Sequence, residues 1–301
     1  MSFTFPFVTL DDLQLHEELF NVNCKTAVNN RLSDHGLRDF ISNFINHDLF
    51  KSLDSAYYTV EQFNEKFTPI DKCVELGAFH LNIHSLNSKV NQFCMFLDLI
   101  DFKFDVIVLS EIWSTNIDFY SNILQGYDFY KDLPVSGHVG GVGVFINRSL
   151  RVHVRSDLKL PTSHNNKIEN LWFEIVKNNK KYIVGGIYRH PNQNINDFND
   201  KLESNLSKLN SEKVPCLILT DANIDLLKFD THTSTSTYLN TLVFNNFLPT
   251  VLLPTRITDH SCTLIDHIYF YEGESSSKSV TVSSEIFSLT SLIIYLTLSV
   301  Y

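Results

Sequence analysis

The chain has 301 residues, 44% of them apolar and 19% charged, with 24 Phe and 12 Tyr. That is ample material for a packed core and argues against a disordered chain. A net charge of −10 argues against holding nucleic acid by bulk electrostatics alone, although carboxylates that face a bound cation would count toward it.

The charge is uneven, with 12 acids against 6 bases in residues 1–75. Five scattered cysteines without a Cys-x-x-Cys pair give neither a disulfide framework nor a thiolate zinc site, and they fit a reducing compartment. The N-terminal Met-Ser-Phe-Thr-Phe-Pro-Phe lacks the basic region and apolar core of a signal peptide. The expected location is therefore intracellular, nuclear or cytoplasmic.

In residues 1–75, Leu10 to Phe20 and Leu37 to Ile45 carry apolar residues at three- and four-residue spacing. This predicts an acidic helical extension, with Tyr57 to Pro69 as connector and a surface for an unknown protein partner. From Phe79 the pattern changes to short apolar runs alternating with helical spacing. Phe79-His-Leu-Asn-Ile predicts a strand ending near Asn82, Asn87 to Ile100 a helix, and Phe104 to Trp113 a buried strand with Glu111 at its end. Strands are predicted at 140–146, 150–154, 171–176 and 182–188, antiparallel because short intervals with turn residues such as Asn178-Asn179 separate them. A helix over 195–209, a strand over 216–220, a helix over 238–247 and a strand over 263–270 complete the series. The uncharged run Ile286 to Tyr301 is interrupted by Ser288, Thr290, Ser291, Thr297 and Ser299. It falls short of the ~20 apolar residues a membrane span needs, so a strand-prone or unpaired segment is expected and no membrane partner.

The chemistry concentrates where apolar runs stop. Leu217 to Leu219 reads as a buried strand that ends in Asp221, with Asn223 two residues on. Side chains two apart on an extended backbone point the same way, so a carboxylate and a carboxamide would enter one cleft. An Asp-x-Asn turn capping the strand fits the same letters. Glu111 and Asp266 hold similar positions, and a buried acid without a partner costs several kcal/mol. A divalent metal held by carboxylate oxygens satisfies that need, as does mutual hydrogen bonding at a loop rim.

Seven motifs then fall in order: Leu-Asn82-Ile-His-Ser-Leu, Leu-Ser-Glu111-Ile-Trp, Gly-Gly-Val-Gly at 140–143, Ile-Tyr188-Arg-His-Pro-Asn, Asp221-Ala-Asn223, Pro-Thr-Arg-Ile-Thr at 254–258 and Leu-Ile-Asp266-His-Ile. The series resembles the endonuclease/exonuclease/phosphatase superfamily, and more narrowly the endonuclease domain of LINE-type non-LTR retrotransposons. The resemblance covers about residues 76–272 and implies a DNase I-like four-layer α/β sandwich: two packed mixed sheets flanked by helices, with the N-terminal helical extension before it. It also implies magnesium-dependent cleavage of DNA, with manganese as an alternative ion.

By motif position, Glu111 and Asn82 would be the metal ligands. Asp221 would orient or deprotonate the attacking water, Asn223 would hold it, and Tyr188 would contact the scissile phosphate. Asp266 would orient a catalytic histidine. Gly140-Gly141-x-Gly143 is not read as a nucleotide loop, since no helical pattern follows it.

Two departures stand out. Thr220 occupies a position that is usually Gly in this family. The family's closing Ser-Asp-His motif, whose histidine neutralises the phosphate, is also missing after Asp266. His267 should point away from Asp266 in a strand, while Ser33-Asp34-His35 and Thr258-Asp259-His260 lie out of place. The domain, assigned to 76–301, is therefore expected to be truncated or diverged after about 272, as a reading-frame slip would leave it. Loss of a transition-state donor, at ~10²–10³ in rate, predicts feeble activity. A catalytically dead interaction module and a phosphatase of the same superfamily are the competing readings.

Overall fold

The computed structural model describes residues 36, 37, 40, 41, 58–69, 76–113, 122–134, 139–161, 168–258 and 261–273, and the backbone of 293–299. The expected helix over 10–20, Ser33-Asp34-His35 and Asp259-His260 lie outside the described residues.

Helix α1 (Val60–Phe67) falls in the expected connector and opens with a capping box, in which Thr59 accepts from the Gln62 amide and Gln62 from that of Thr59. Then follow β1 (Leu76–Asn82), α2 (Leu86–Leu99), β2 (Val106–Ser110), β3 (Tyr127–Asp132), β4 (Val142–Asn147) and β5 (Arg151–Val154). A long hairpin, β6 (Ile168–Lys177) and β7 (Lys180–Arg189), turns on Asn178 and Asn179. Both residues adopt positive φ, 50° and 61°, as a two-residue hairpin turn requires. The remainder is α3 (Ile195–Glu212), β8 (Cys216–Asp221), α4 (Thr233–Phe244), β9 (Leu248–Pro249), β10 (Arg256–Thr258), β11 (Ser261–Thr263), β12 (Asp266–Tyr271) and β13 (Ile293–Ser299).

The strands form two mixed sheets, ordered β13-β1-β2-β4-β3 and β5-β6-β7-β8-β12-β9, with β10 and β11 as a separate hairpin. The predicted strands over 140–188 pair antiparallel as expected except on one side of β7, which runs parallel to β8, and they divide between the sheets: β4 pairs with β2 and β3, and β5 begins the second sheet. The uncharged tail contributes β13, parallel to β1 along the first sheet's edge.

Alternation along each strand builds the layers. Leu76, Ala78, Val106, Val108, Val142 and Val144 face Phe173, Val184, Leu217, Leu219, Ile268 and Phe270 across the space between the sheets. Phe79, Leu81, Ile107, Leu109 and Phe145 point outward onto α2 and onto Phe63 of α1. The outer face of the second sheet packs on α3 and α4 through Trp172, Ile187, Ile218, Leu202, Leu206 and Leu242, and there it also buries Leu37 and Ile41. Each fully buried Leu, Ile or Phe contributes about 1.5–3 kcal/mol. The result is the expected four-layer α/β sandwich. Among the described residues no helix is long and apolar enough to cross a membrane.

Register decides what meets at one end of this sandwich. Asn82 is level with Ser110 on parallel β2, Tyr188 with Asp221 on parallel β8, and Asp266 with Asp221 on antiparallel β12. The even positions of β1 and the odd positions of β8 share the inter-sheet face. Asn82 and Asp221 therefore approach each other from opposite sheets.

Candidate active site

The amide of Asn82 bridges the two sheets. Its Nδ2 donates to Asp221 Oδ2 at 2.7 Å and to Glu111 Oε1 at 3.1 Å, and its Oδ1 accepts from the His84 backbone N–H at 3.1 Å. The Tyr188 hydroxyl donates to the same Glu111 oxygen at 3.4 Å. Asp221 Oδ1 accepts from the Asn223 backbone N–H at 3.2 Å, and the Asn223 side chain donates to the Arg189 carbonyl at 2.8 Å. The Asn223 side chain is thus spent on the loop, while its backbone serves the carboxylate. Asp221 and Asp266 are fully buried, Asn82 nearly so, and Glu111 is half-exposed at the rim. The structure therefore gathers Asn82, Glu111, Tyr188, Asp221, Asn223 and Asp266 at one end of the sandwich.

The backbone around these groups is strained. His84, Ser85, Glu111, Trp113 and Asn223 all have positive φ, between 44° and 86°, and non-glycine residues in such conformations cluster at functional sites. Cross-loop hydrogen bonds hold them there: Ser85 N–H to Glu111 O at 2.8 Å, Leu86 N–H to Ile112 O at 3.0 Å and Trp113 N–H to Gly140 O at 3.0 Å. Gly140 (φ 111°) must be glycine, because a Cβ there would lie 2.7 Å from the His190 ring.

Electrostatics make the cluster demanding. Burial pushes the Asp221 carboxyl well above the usual range, and Asp266 and then Glu111 push it further. The bonds from Asn223 and Asn82 pull the other way. Burial, then Glu111, Asp221 and Glu169, raise the Tyr188 phenol, which stays an O–H donor.

Sequence reasoning passed over four residues. Arg189, 1% exposed, sends its guanidinium to the carbonyls of Ala222 (2.5 Å), Asn223 (2.8 Å) and Gln193. It thereby fixes the loop that carries Asn223. His80 lies two residues before Asn82 on the same face, 3.3 Å from Ser110 Oγ, with Nδ1 3.8 Å from Asp266 Oδ1. Burial, then the nearby His267, lowers its pKa to about 3, so it is neutral. His190 stacks edge-on against Tyr188 and sits 3.0 Å from the buried Glu169. The strand period marks His80, and an Arg closing an apolar run marks Arg189. Nothing in the sequence pairs His190 with Glu169.

His267 turns from Asp266 toward the outer layer, beside the Leu264 carbonyl and the Tyr238 and Tyr269 hydroxyls. Thr220 is buried on that same outer face, and its hydroxyl has no hydrogen-bond partner among the described residues.

The donor set fits a hard divalent cation of the kind that takes one or two carboxylates and keeps several waters. Glu111 offers an accessible carboxylate, Asn82 a carboxamide, and the mutual repulsion of Glu111, Asp221 and Asp266 is what such a charge would offset. Among the described residues no group of three or more His, Cys, Asp or Glu is arranged to hold a metal ion, so any ion here would rest on fewer protein ligands. A surface depression lined by Arg151, His153, Glu174 and Lys181 plays no part here. Lys181 is seven residues along β7 from Tyr188, about 23 Å at ~3.3 Å per residue.

The sequence profile of the Endonuclease/Exonuclease/phosphatase family matches residues 19–288. Among solved structures, the chain is similar to the AP endonuclease LMAP from Leishmania major, at 11% identity and a TM-score of 0.50 over 77% of this chain and 89% of that one. The endonuclease domain of TRAS1, a telomere-specific non-LTR retrotransposon, aligns at 12% identity and a TM-score of 0.47 over 64% and 82%. Bacteroides thetaiotaomicron mannosyl-6-phosphatase Bt3783 gives 12% and 0.46 over 64% and 84%. At these identities the likeness is one of fold. No curated protein matches the chain.

Proposed function

The chain belongs to the endonuclease/exonuclease/phosphatase family, and from that premise we propose that it is a metal-dependent phosphodiesterase of low activity that cleaves DNA and descends from a non-LTR retroelement. The observation that carries the reading is the Asn82 amide, which ties Glu111 of one sheet to Asp221 of the other at hydrogen-bond distance. The ordered motif series supports the retroelement ancestry, and with it DNA as the substrate.

In this reading Glu111 and Asn82 hold magnesium, with manganese as a substitute. When bound, such an ion lowers the pKa of a water and offsets charge on the phosphate. Asp221 takes the proton of the attacking water, and a carboxylate whose pKa is raised by burial is the better acceptor near neutral pH. Asn223 holds the Asp221 carboxylate through its backbone N–H. The protonated Tyr188 hydroxyl donates to a phosphate oxygen. Asp266 stands beside His80, a neutral buried histidine. That ring is a fixture of the inter-sheet layer and no substitute for a solvent-facing proton donor, hence the low activity.

The test is nicking of supercoiled plasmid in magnesium by the wild type, Glu111→Ala and Asp221→Ala. Slow nicking by the wild type that falls at least a hundredfold in both variants supports the proposal. Equal nicking by all three, or none by the wild type, overturns it.

A further inference from the structure

The rim of the site carries an aromatic pair that neither the core nor the proposed chemistry uses. The rings of His84 and Trp113 lie 4.1 Å apart, centroid to centroid, tilted by 52°. His84 is exposed and Trp113 half-exposed, and neither belongs to any of the three hydrophobic clusters. The Trp113 indole N–H is shielded from solvent and has no hydrogen-bond partner among the described residues.

Holding the pair in place costs free energy. His84 (φ 46°) and Trp113 (φ 44°) both sit in the left-handed region, which non-glycine residues enter at a cost that surrounding structure must offset. The contacts that hold them belong to the site itself. His84 N–H is bound to Asn82 Oδ1, and Trp113 N–H to the carbonyl of Gly140. The platform is thereby locked to Asn82, one of the two residues proposed to hold the metal, and to the turn at Gly140. A strained, partly exposed ring pair that adds nothing to the core has the character of a ligand surface, and rings of this kind take another flat ring.

Charge points to the same occupant. Glu111 stands at the rim of the site with the buried Asp221 and Asp266 behind it, in a chain of net charge −10. Lys89 stands close enough to Glu111 to feel its charge, but phosphate contacts from Lys and Arg, the usual source of nucleic-acid affinity, must here compete with repulsion from the acids. Stacking on an aromatic surface supplies affinity that ignores the sign of the field and varies little with salt or base identity.

We infer that His84 and Trp113 form a stacking platform that binds one unpaired nucleobase next to the phosphate facing Glu111. It rests on the reading of the site as a phosphodiester site, and it adds that recognition runs through the base rather than the backbone charge. A nucleotide in a single strand or at a frayed end meets this requirement, while a stacked base inside a duplex does not.

Fluorescence reads the platform directly. The chain has two tryptophans, and Trp172 is buried at 1% exposure in the outer core of the second sheet, so Trp113 is the one a solute reaches. With divalent ions chelated to prevent cleavage, the full chain is titrated with a short oligothymidylate and with an abasic phosphodiester of equal length. The oligothymidylate is expected to quench tryptophan emission and to bind about tenfold more tightly than the abasic strand, a preference that persists as salt rises. By anisotropy of a labelled strand, His84→Ala and Trp113→Leu each lose most of that preference, and Trp113→Phe keeps part of it. Equal affinity for the two strands, including none for either, overturns the inference, as does an unchanged preference in His84→Ala. Nicking without base preference removes the platform and leaves the nuclease; base preference without nicking does the reverse.

Discussion

Replacing Arg189 with methionine tests how the site is held. The side chain is 1% exposed and its guanidinium serves three backbone carbonyls, those of Ala222, Gln193 and Asn223. Methionine fills much of the volume and supplies no donor, so three largely buried carbonyls lose their partner at about 1–3 kcal/mol each. Part of that cost is recovered because a guanidinium no longer has to be desolvated, leaving a net loss of about 4 kcal/mol. In a domain of this size that lowers Tm by about 10 °C. Arg189→Lys, a point charge on a flexible stem, cannot span three carbonyls and should recover less than half. Urea unfolding of the two variants and the wild type measures this as a fall in midpoint at unchanged slope. A loss below about 1 kcal/mol in Arg189→Met would refute the claim that this residue anchors the 222–224 loop.

Gly140→Ala places a methyl 2.7 Å from the His190 ring at a φ of 111° and should cost about 1–3 kcal/mol, measured by urea midpoint. Two buried histidines, His80 and His267, have pKa values lowered to about 3 and about 4, mainly by burial. The unfolded chain therefore binds protons that the folded one refuses, from about pH 6.5 down to those values. Stability should fall with pH across that window at up to ~1.4 kcal/mol per pH unit for each ring, and His80→Phe should flatten the slope by about half in unfolding measured at several pH values. Asp221 is raised well above the usual carboxylate range, so nicking should fall as pH drops through its folded-state value. Since Asp221→Ala should be inactive, the raised value itself is checked in Asp266→Asn, which removes the nearest like charge and should shift the acid limb of the rate profile to lower pH.

Much of the site was legible because acids and amides that end apolar runs are visible one strand at a time. Asn82, Glu111, Asp221 and Asp266 each lie at or just beyond an end of a largely apolar strand, and burial of those strands did the rest. What could not be read was pairing. β3, Tyr-Asp-Phe-Tyr-Lys-Asp, mixes charges into an edge strand and gives no apolar run. The helix expected from Tyr238 begins at Thr233 and stops at Phe244, because Thr-Ser-Thr-Ser-Thr carries no periodicity and the chain re-enters the second sheet at Leu248. β4 joins the first sheet through its register with β2, a long-range choice that its own letters do not encode. The same holds for Arg189 with the Ala222 and Asn223 carbonyls and for His190 with Glu169, which lie 21 to 34 positions apart.

Calorimetric titration of the full chain with magnesium bears most directly on the central claim, that carboxylate and amide groups from two sheets converge to hold one divalent ion. One site per chain is expected in the wild type, with Glu111→Ala abolishing it and Trp113→Leu retaining it. Identical heats in the wild type and Glu111→Ala, or no binding heat in the wild type, would contradict it.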